Sequence, residues 1–215
     1  MTQIARMPRL LPLLLKISLP LVVLDQLTKW WVVFNLKQPY LPYQTYPYLA
    51  PAGEFKGKYW LASNHVDLIP VIDGYFNINR VHNQGVAFGF GNGTDWAPIV
   101  FLIVPIVALT VVSLLWKKGV FVGWAKWSAP LLVAGVVGNL IDRLTQGFVL
   151  KGYEGESFWT RLSEGYVVDF IDVTIPFINY RWPSFNVADS CICIAASLLF
   201  LSAFQAEDKV KDQSK

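Results

Sequence analysis

The chain is poor in charge and in the residues that most often carry chemistry. Only 15% of its 215 residues are Asp, Glu, Lys or Arg, against 54% hydrophobic, and the mean hydropathy is positive. A soluble domain of this size needs more polar surface, so the composition points to a membrane protein, read as one compact domain over residues 1–215. There are two histidines, His65 and His82, neither within a motif, and there is no His-Glu-x-x-His run to bind zinc. The Gly-x-Ser-x-Gly elbow of many serine hydrolases is missing too. The two cysteines, Cys191 and Cys193, lie two apart in an apolar run, point to different sides of a helix and read as small packing residues. With a net charge of +3 and no dense basic block, nothing suggests a nucleic-acid partner.

What the chain does have is long apolar runs. Residues 10–36 follow Arg6 and Arg9, are too long for a signal peptide and lack a small-residue exit, so they read as a first membrane span. Further spans are expected at about 96–116, 126–144 and 186–204. Residues 37–95 and 145–185 are polar connections rich in turn residues. Around Val71 to His82 apolar and polar residues alternate about the turn signal Asp73-Gly74, which predicts strands. The aromatics Tyr40, Tyr43, Tyr46, Tyr48, Tyr59 and Trp60 suit a membrane interface, and the charged stretch Glu154, Glu156, Arg161 and Glu164 reads as a solvated excursion.

Lys and Arg residues are dense in three short segments. Arg6 and Arg9, then Lys117, Lys118 and Lys126, then Lys209, Lys211 and Lys215 mark the two tails and the short loop. The two long loops spread a similar number over far more chain, which places both termini and the short loop in the cytoplasm.

On that topology the polar motifs fall at one depth, near the outer leaflet. Asp25 and Lys29 sit one helical turn apart in the first span, either as a mutually neutralising pair with Lys29 snorkelling outward or with a direct role in binding. Asn83, Gly85 and Ala87 form a small-residue turn with an amide before the second span. Gly135 and Gly138 allow close packing on the third, which ends in Asn139, Asp142 and Arg143 on one face. Asp142 reads equally as part of an interfacial charge cluster, whereas the Arg143 guanidinium and the Asn139 amide suit the binding of carbonyl or headgroup oxygens. Asp169 stands out in a β-branched, aromatic run, with Asp172 as its competitor, and Asn186, Ala188 and Asp189 open the last span. A carboxylate at the hydrocarbon boundary is costly and calls for a function. Two aspartates sharing a water can hydrolyse an amide, because like charges held close cannot both ionise.

These residues resemble the lipoprotein signal peptidases, the type II signal peptidases of bacteria. The resemblance runs in order through Asp25-Gln26-x-x-Lys29, Asn83-x-Gly85-x-Ala87-Phe88-Gly89, Gly138-Asn139-x-x-Asp142-Arg143, Val168-Asp169-Phe170 and Phe185-Asn186-x-Ala188-Asp189. It implies an all-α integral membrane fold of four transmembrane helices, with a small extracytoplasmic β-sheet cradle and a loop or helix excursion. It implies an aspartyl endopeptidase of the bacterial cytoplasmic (inner) membrane that acts on diacylglyceryl-modified prolipoproteins, cutting before the lipidated cysteine, with no metal or cofactor. Asp169 and Asp189 match the catalytic pair. Asn83, Gly85, Asn139, Arg143, Asn186 and Ala188 match the substrate-contacting shell, and Asp25, Lys29 and Asp142 its polar support. Membrane lipid and globomycin-type inhibitors are the other implied partners. Ala134 stands where the third-helix motif usually has another Gly, and the loops at about 40–63 and 150–164 look longer than usual. The competing class is a small ion- or proton-coupled carrier, which would spread its polar residues through the membrane depth.

Overall fold

The computed structural model describes residues 10–42, 55–56, 59–61, 67–84 and 96–213. The first apolar run is a helix, α1, over Leu10–Asn35. It widens into a π turn at Leu14–Ser18, just ahead of Pro20. Pro20 has no N–H for the Lys16 carbonyl and its ring crowds that oxygen, and the wider turn relieves both problems. The second run is α2, Ala97–Lys117, and the third is α3, Ala125–Thr145. After a 3-10 turn at Gln146–Phe148 comes the short α4, Phe158–Ser163, and the last run is α5, Val187–Gln213. The four long helices thus start within a residue of the positions read from the sequence. The last runs past the expected end at 204, because Ala206-Glu207-Asp208-Lys209 contains good helix formers and no Gly or Pro to stop it.

Two of these helical stretches, Leu10–Asn35 and Val100–Lys117, are long and apolar enough to cross a bilayer. The apolar part of α5, Val187–Ala203, is shorter, and α3 carries Lys126, Asp142 and Arg143. On α1 the apolar Leu15, Leu19, Leu27 and Phe34 are exposed while Ser18, Asp25 and Lys29 are buried. On α2 Ile103, Ile106, Val107 and Leu114 face outward. Polar side chains buried behind an apolar exterior suit hydrocarbon as the surrounding solvent.

The chain divides into two compact units. The helical one comprises Met1–Leu24, Pro105–Gly138 and Val187–Lys215. Its core is Val112, Trp116, Phe121, Ala125 and Ala129, with Leu10, Leu13 and Leu199 packed against them. The rings of Trp116 and Phe121 stack at 5.8 Å, and Ser18 Oγ donates to the Pro130 carbonyl at 2.6 Å. Gly135 lets α3 and α5 come together: a Cβ there would lie 2.5 Å from the Ala188 carbonyl oxygen and 2.5 Å from Ile192 Cγ1. The small-residue face expected at Gly135 is therefore a helix-packing face. Cys191 is buried, as a packing residue would be, whereas Cys193 is exposed; both are free thiols.

The second unit comprises Asp25–Val104 and Asn139–Asn186 and holds the strands. A three-stranded antiparallel sheet is formed by β1 (Tyr40–Pro42), β2 (Phe55–Lys56) and β3 (Tyr59–Leu61), with β3 in the middle. The larger sheet orders β4 (Leu68–Ile72), β5 (Phe76–Asn83), β6 (Val167–Ile175) and β7 (Tyr180–Arg181) side by side, all antiparallel. The β4–β5 hairpin turns at Asp73-Gly74 as expected, with Gly74 at φ +76°, where a side chain would be strained. Four of the strands form a sheet whose centre, β6, is nine residues of β-branched, aromatic and acidic side chains, so the all-α label is too narrow. The solvated reading of the charged stretch also needs correction. Glu154 and Glu156 are exposed, but Glu164 is buried and accepts from Gln84 Nε2 at 3.2 Å.

Replacing Gly135 with Val puts branched methyls where the Ala188 carbonyl and Ile192 already sit. The expected result is a lower melting temperature in detergent, at a cost of about 1–3 kcal/mol. An unchanged melting curve would contradict so close an approach.

Candidate active site

Strand alternation sorts the polar residues of the second unit onto two faces. In the β5–β6 register Val81 pairs with Asp169, His82 with Val168 and Asn83 with Val167. Asn83 is thus the diagonal neighbour of Asp169 on one face, and its Nδ2 donates to Asp169 Oδ2 at 3.0 Å. The other carboxylate oxygen is taken from a different direction. An isolated bridge between Ile171 and Phe185 brings the end of the connection back along β6, and Asn186 Nδ2 donates to Asp169 Oδ1 at 2.7 Å. Asn186 is fully buried and also reaches the Val168 carbonyl at 3.4 Å. The Asp169 carboxylate is itself buried and oriented by an amide on each oxygen.

Asp172, three positions on, faces the other way and is otherwise engaged. Arg181 grips it with Nε at 2.6 Å from Oδ1 and Nη2 at 2.7 Å from Oδ2, and Asn77 Nδ2 adds a third bond at 3.2 Å. These hydrogen bonds raise the Arg181 pKa above its ordinary value.

The pair expected at Asp25 and Lys29 is the centre of a larger cluster. Lys29 Nζ lies 2.9 Å from Asp25 Oδ2, 3.0 Å from Asp142 Oδ2 and 2.9 Å from Asn139 Oδ1. Lys29 does not snorkel: its side chain is 0% exposed, because three acceptors satisfy the ammonium in place. Asp142 Oδ1 also accepts from Gln26 Nε2 at 2.9 Å, and its Oδ2 from the Val168 N–H at 3.0 Å. That last bond fixes the backbone next to Asp169. Arg143 donates through Nη1 to the Gln84 carbonyl at 3.2 Å and stacks over the Phe101 ring at 5.0 Å.

On the opposite sheet face lies a set that sequence reasoning missed. Arg80 is buried and donates from Nη1 to the carbonyls of Val33 and Leu36 at 3.0 and 2.9 Å, so a cation closes the C-terminal end of α1. Its Nε donates to His82 Nε2 at 3.1 Å and its Nη2 to the Tyr166 hydroxyl at 3.3 Å. The His82 and Tyr166 rings stack at 3.7 Å. Burial, together with the Arg80 charge, holds the His82 pKa well below its ordinary value, and burial pushes the Tyr166 hydroxyl up. The available signal was the two-residue spacing of Arg80 and His82 within a strand pattern.

The remaining expected residues fall in two places. Ala188 and Asp189 lie in the first turn of α5 in the helical unit, Ala188 buried and Asp189 half-buried. Gly85, with the rest of the motif to Gly89, lies outside the described residues. Among the described residues no group of three or more His, Cys, Asp or Glu is arranged to hold a metal.

Apolar helix faces turned outward, with carboxylates and amides gathered behind them, are the build of a membrane enzyme. A family model described as signal peptidase (SPase) II matches residues 17–205. A lipoprotein signal peptidase of Geobacter sulfurreducens is 36% identical over 140 residues, covering 65% of this chain and 75% of that protein. One from Halalkalibacterium halodurans is 30% identical over 157 residues, covering 72% and 86% respectively. A solved bacterial membrane enzyme superposes with a TM-score of 0.59 at 25% identity, over 91% of this chain and 90% of its own. The chain belongs to the signal peptidase II family.

Two outcomes test this geometry. Lys29→Met leaves Asp25 and Asp142 buried without their cation, and is expected to cost about 3–5 kcal/mol, read as a large fall in detergent melting temperature. A wild-type melting curve would refute the shared ion pair. The His82 effect is pH-dependent. Below about pH 6.5 the unfolded chain takes up a proton that folded His82 refuses, so stability falls as pH drops, by up to about 1.4 kcal/mol per unit. His82→Gln, which keeps an acceptor for Arg80, is expected to flatten the acid side of melting temperature against pH.

Proposed function

We propose that this protein removes the signal peptide from diacylglyceryl-modified prolipoproteins, cutting on the N-terminal side of the lipidated cysteine with a water activated by Asp169 and Asp189. The family match over residues 17–205 carries this reading. It is supported by the way Asn83 and Asn186 orient both oxygens of Asp169. Asn186 is also three residues before Asp189 in the chain, so one short segment bears both an Asp169 ligand and the second acid.

In this mechanism one aspartate takes a proton from the water as its oxygen attacks the scissile carbonyl carbon. The other, protonated, donates a hydrogen bond to the carbonyl oxygen. Collapse of the tetrahedral intermediate breaks the C–N bond, and a proton passes to the leaving nitrogen. The products are a signal peptide with a new carboxylate and a lipidated cysteine with a free amine. Because the two acids titrate as a pair, the protonated member is not assigned. Asn83, Gly85, Asn139, Arg143, Asn186 and Ala188 line the substrate path, and Asp25, Lys29 and Asp142 support it. The same polar shell receives globomycin-type peptides.

The topology that goes with this function has four spans, at about 10–36, 96–116, 126–144 and 186–204. Both termini face the cytoplasm of a bacterial inner membrane and both long loops lie outside. The catalytic residues then stand near the outer leaflet, where a lipid-anchored substrate presents its cleavage site.

Asp169→Asn and Asp189→Asn are each expected to abolish cleavage of a lipid-modified precursor in vesicles while the protein still inserts. Near-normal turnover in either variant would sink the dyad. Asp172→Asn is expected to retain turnover yet lower stability by about 1–3 kcal/mol, since it loses a charged partner of Arg181.

A further inference from the structure

Within the second unit the segment from Phe148 to Glu164 is tied down by several hydrogen bonds, and it exposes two aromatic rings beside the charged Glu154 and Glu156. Gln38 clasps it at the end of α1, its Oε1 accepting from the Lys151 N–H at 2.9 Å and its Nε2 donating to the Lys151 carbonyl at 3.3 Å. Ser157 caps α4 by accepting from the Thr160 N–H at 3.1 Å, and Arg161 donates to the Phe148 carbonyl while its guanidinium covers that ring at 5.2 Å. Two glycines permit the fit: a Cβ on Gly147 would lie 1.9 Å from the Arg161 carbonyl oxygen, and one on Gly165 would lie 2.0 Å from that of Arg143. Glu164 closes the segment on Gln84, next to Asn83.

The outward side has a different character. Phe158 is 58% exposed and Trp159 is 74% exposed. They meet edge to face at 5.2 Å, and Phe158 rests on Phe148 at 5.2 Å. A six-residue helix held this firmly has no need of two uncovered aromatic rings for its own stability. Other apolar side chains of the same unit are exposed as well. Leu144 and Val149 are exposed at the end of α3, and Trp31 and Phe34 at the end of α1, which the Gln38 clasp joins to this segment. Trp beside Phe at the end of apolar helices is the composition of a bilayer interface.

We propose that α4 is an interfacial foot, seating Phe158 and Trp159 in the outer leaflet of the bilayer at the boundary of headgroups and acyl chains. This rests on the outward topology stated above. The occupant is lipid because the rings belong to the unit in which the ends of α1 and α3 likewise expose apolar side chains, Trp31, Phe34 and Leu144. Through Glu164 and Gln84 the foot sets the height of Asn83 relative to the leaflet in which the diacylglyceryl group of the substrate is anchored.

The test uses the full chain in vesicles of phosphatidylethanolamine and phosphatidylglycerol. In a Cys191→Ala, Cys193→Ala background, Trp159→Cys carries an environment-sensitive fluorophore. Quenching by lipids with a nitroxide high on the acyl chain, without quenching by aqueous iodide, is the expected result. The same label at position 155, where a Cβ would meet nothing within 4 Å, is expected to respond to iodide instead. Iodide quenching at position 159 without lipid quenching would overturn the proposal. So would protection from both, which is the signature of a protein partner or a second copy. If the labelled chain fails to fold, the loss of brominated-lipid quenching between the native protein and Trp159→Phe reads the same contact without a label. Replacing Phe158 and Trp159 together with Ser is expected to raise KM for the lipid-modified precursor several-fold with kcat unchanged. The depth reading does not depend on cleavage, so it can fail while the Asp169 and Asp189 variants behave as expected, and the reverse also holds.

Discussion

The arrangement depends first on a buried ammonium ion. Lys29 has no access to solvent, and a lone cation so placed would be prohibitive; Asp25, Asp142 and Asn139 make it tolerable. The consequence is organisational as much as energetic. Asp142 spends one oxygen on Gln26 and the other on both Lys29 and the Val168 N–H. A helix turn, a second helix end and the strand that carries Asp169 are thereby locked by a single carboxylate. Polar groups shielded from water bond where geometry allows and nowhere else, which gives the cluster its specificity.

The sheet adds the second constraint, which is parity. Because alternate strand residues face opposite ways, Asp169 and Asp172 cannot share an environment. Asp169 turns towards two amides, while Asp172 is buried against a guanidinium. The same rule puts Arg80, His82 and Tyr166 together on the face away from Asp169. Their role there is structural, since Arg80 satisfies two carbonyls at the end of α1 that the helix itself leaves open. A neutral His82 is what allows a second nitrogen base to sit against that charge.

Much of the fold could be read from local pattern. The apolar runs gave the long helices, Asp73-Gly74 the hairpin, and Gly135 a close helix contact, because each signal is complete within a few residues. The site was legible as a set of candidates, since a carboxylate in an apolar run is conspicuous whatever its partners. What was not legible depended on distant chain. Lys29 reads equally as a snorkelling residue or a binding one until Asn139 and Asp142, more than a hundred positions away, supply acceptors. Glu164 reads as solvated because charge density near it is high, yet it is buried and accepts from Gln84. His82 carries no motif, and only pairing with β6 brings Tyr166 against its ring.

The two asparagines on Asp169 show what amides contribute at such a position. Each offers donors that add no net charge, so these two bonds orient the carboxylate without the counter-charge that Arg181 brings to Asp172. A carboxylate gripped in a bidentate ion pair has both oxygens committed to a permanent counter-charge and is a poor acceptor for a proton from water. An amide donor adds no counter-charge, and each carboxylate oxygen can take more than one hydrogen bond. The two aspartates three residues apart on one strand thus meet different donors, Asn83 and Asn186 at Asp169 against Arg181 and Asn77 at Asp172.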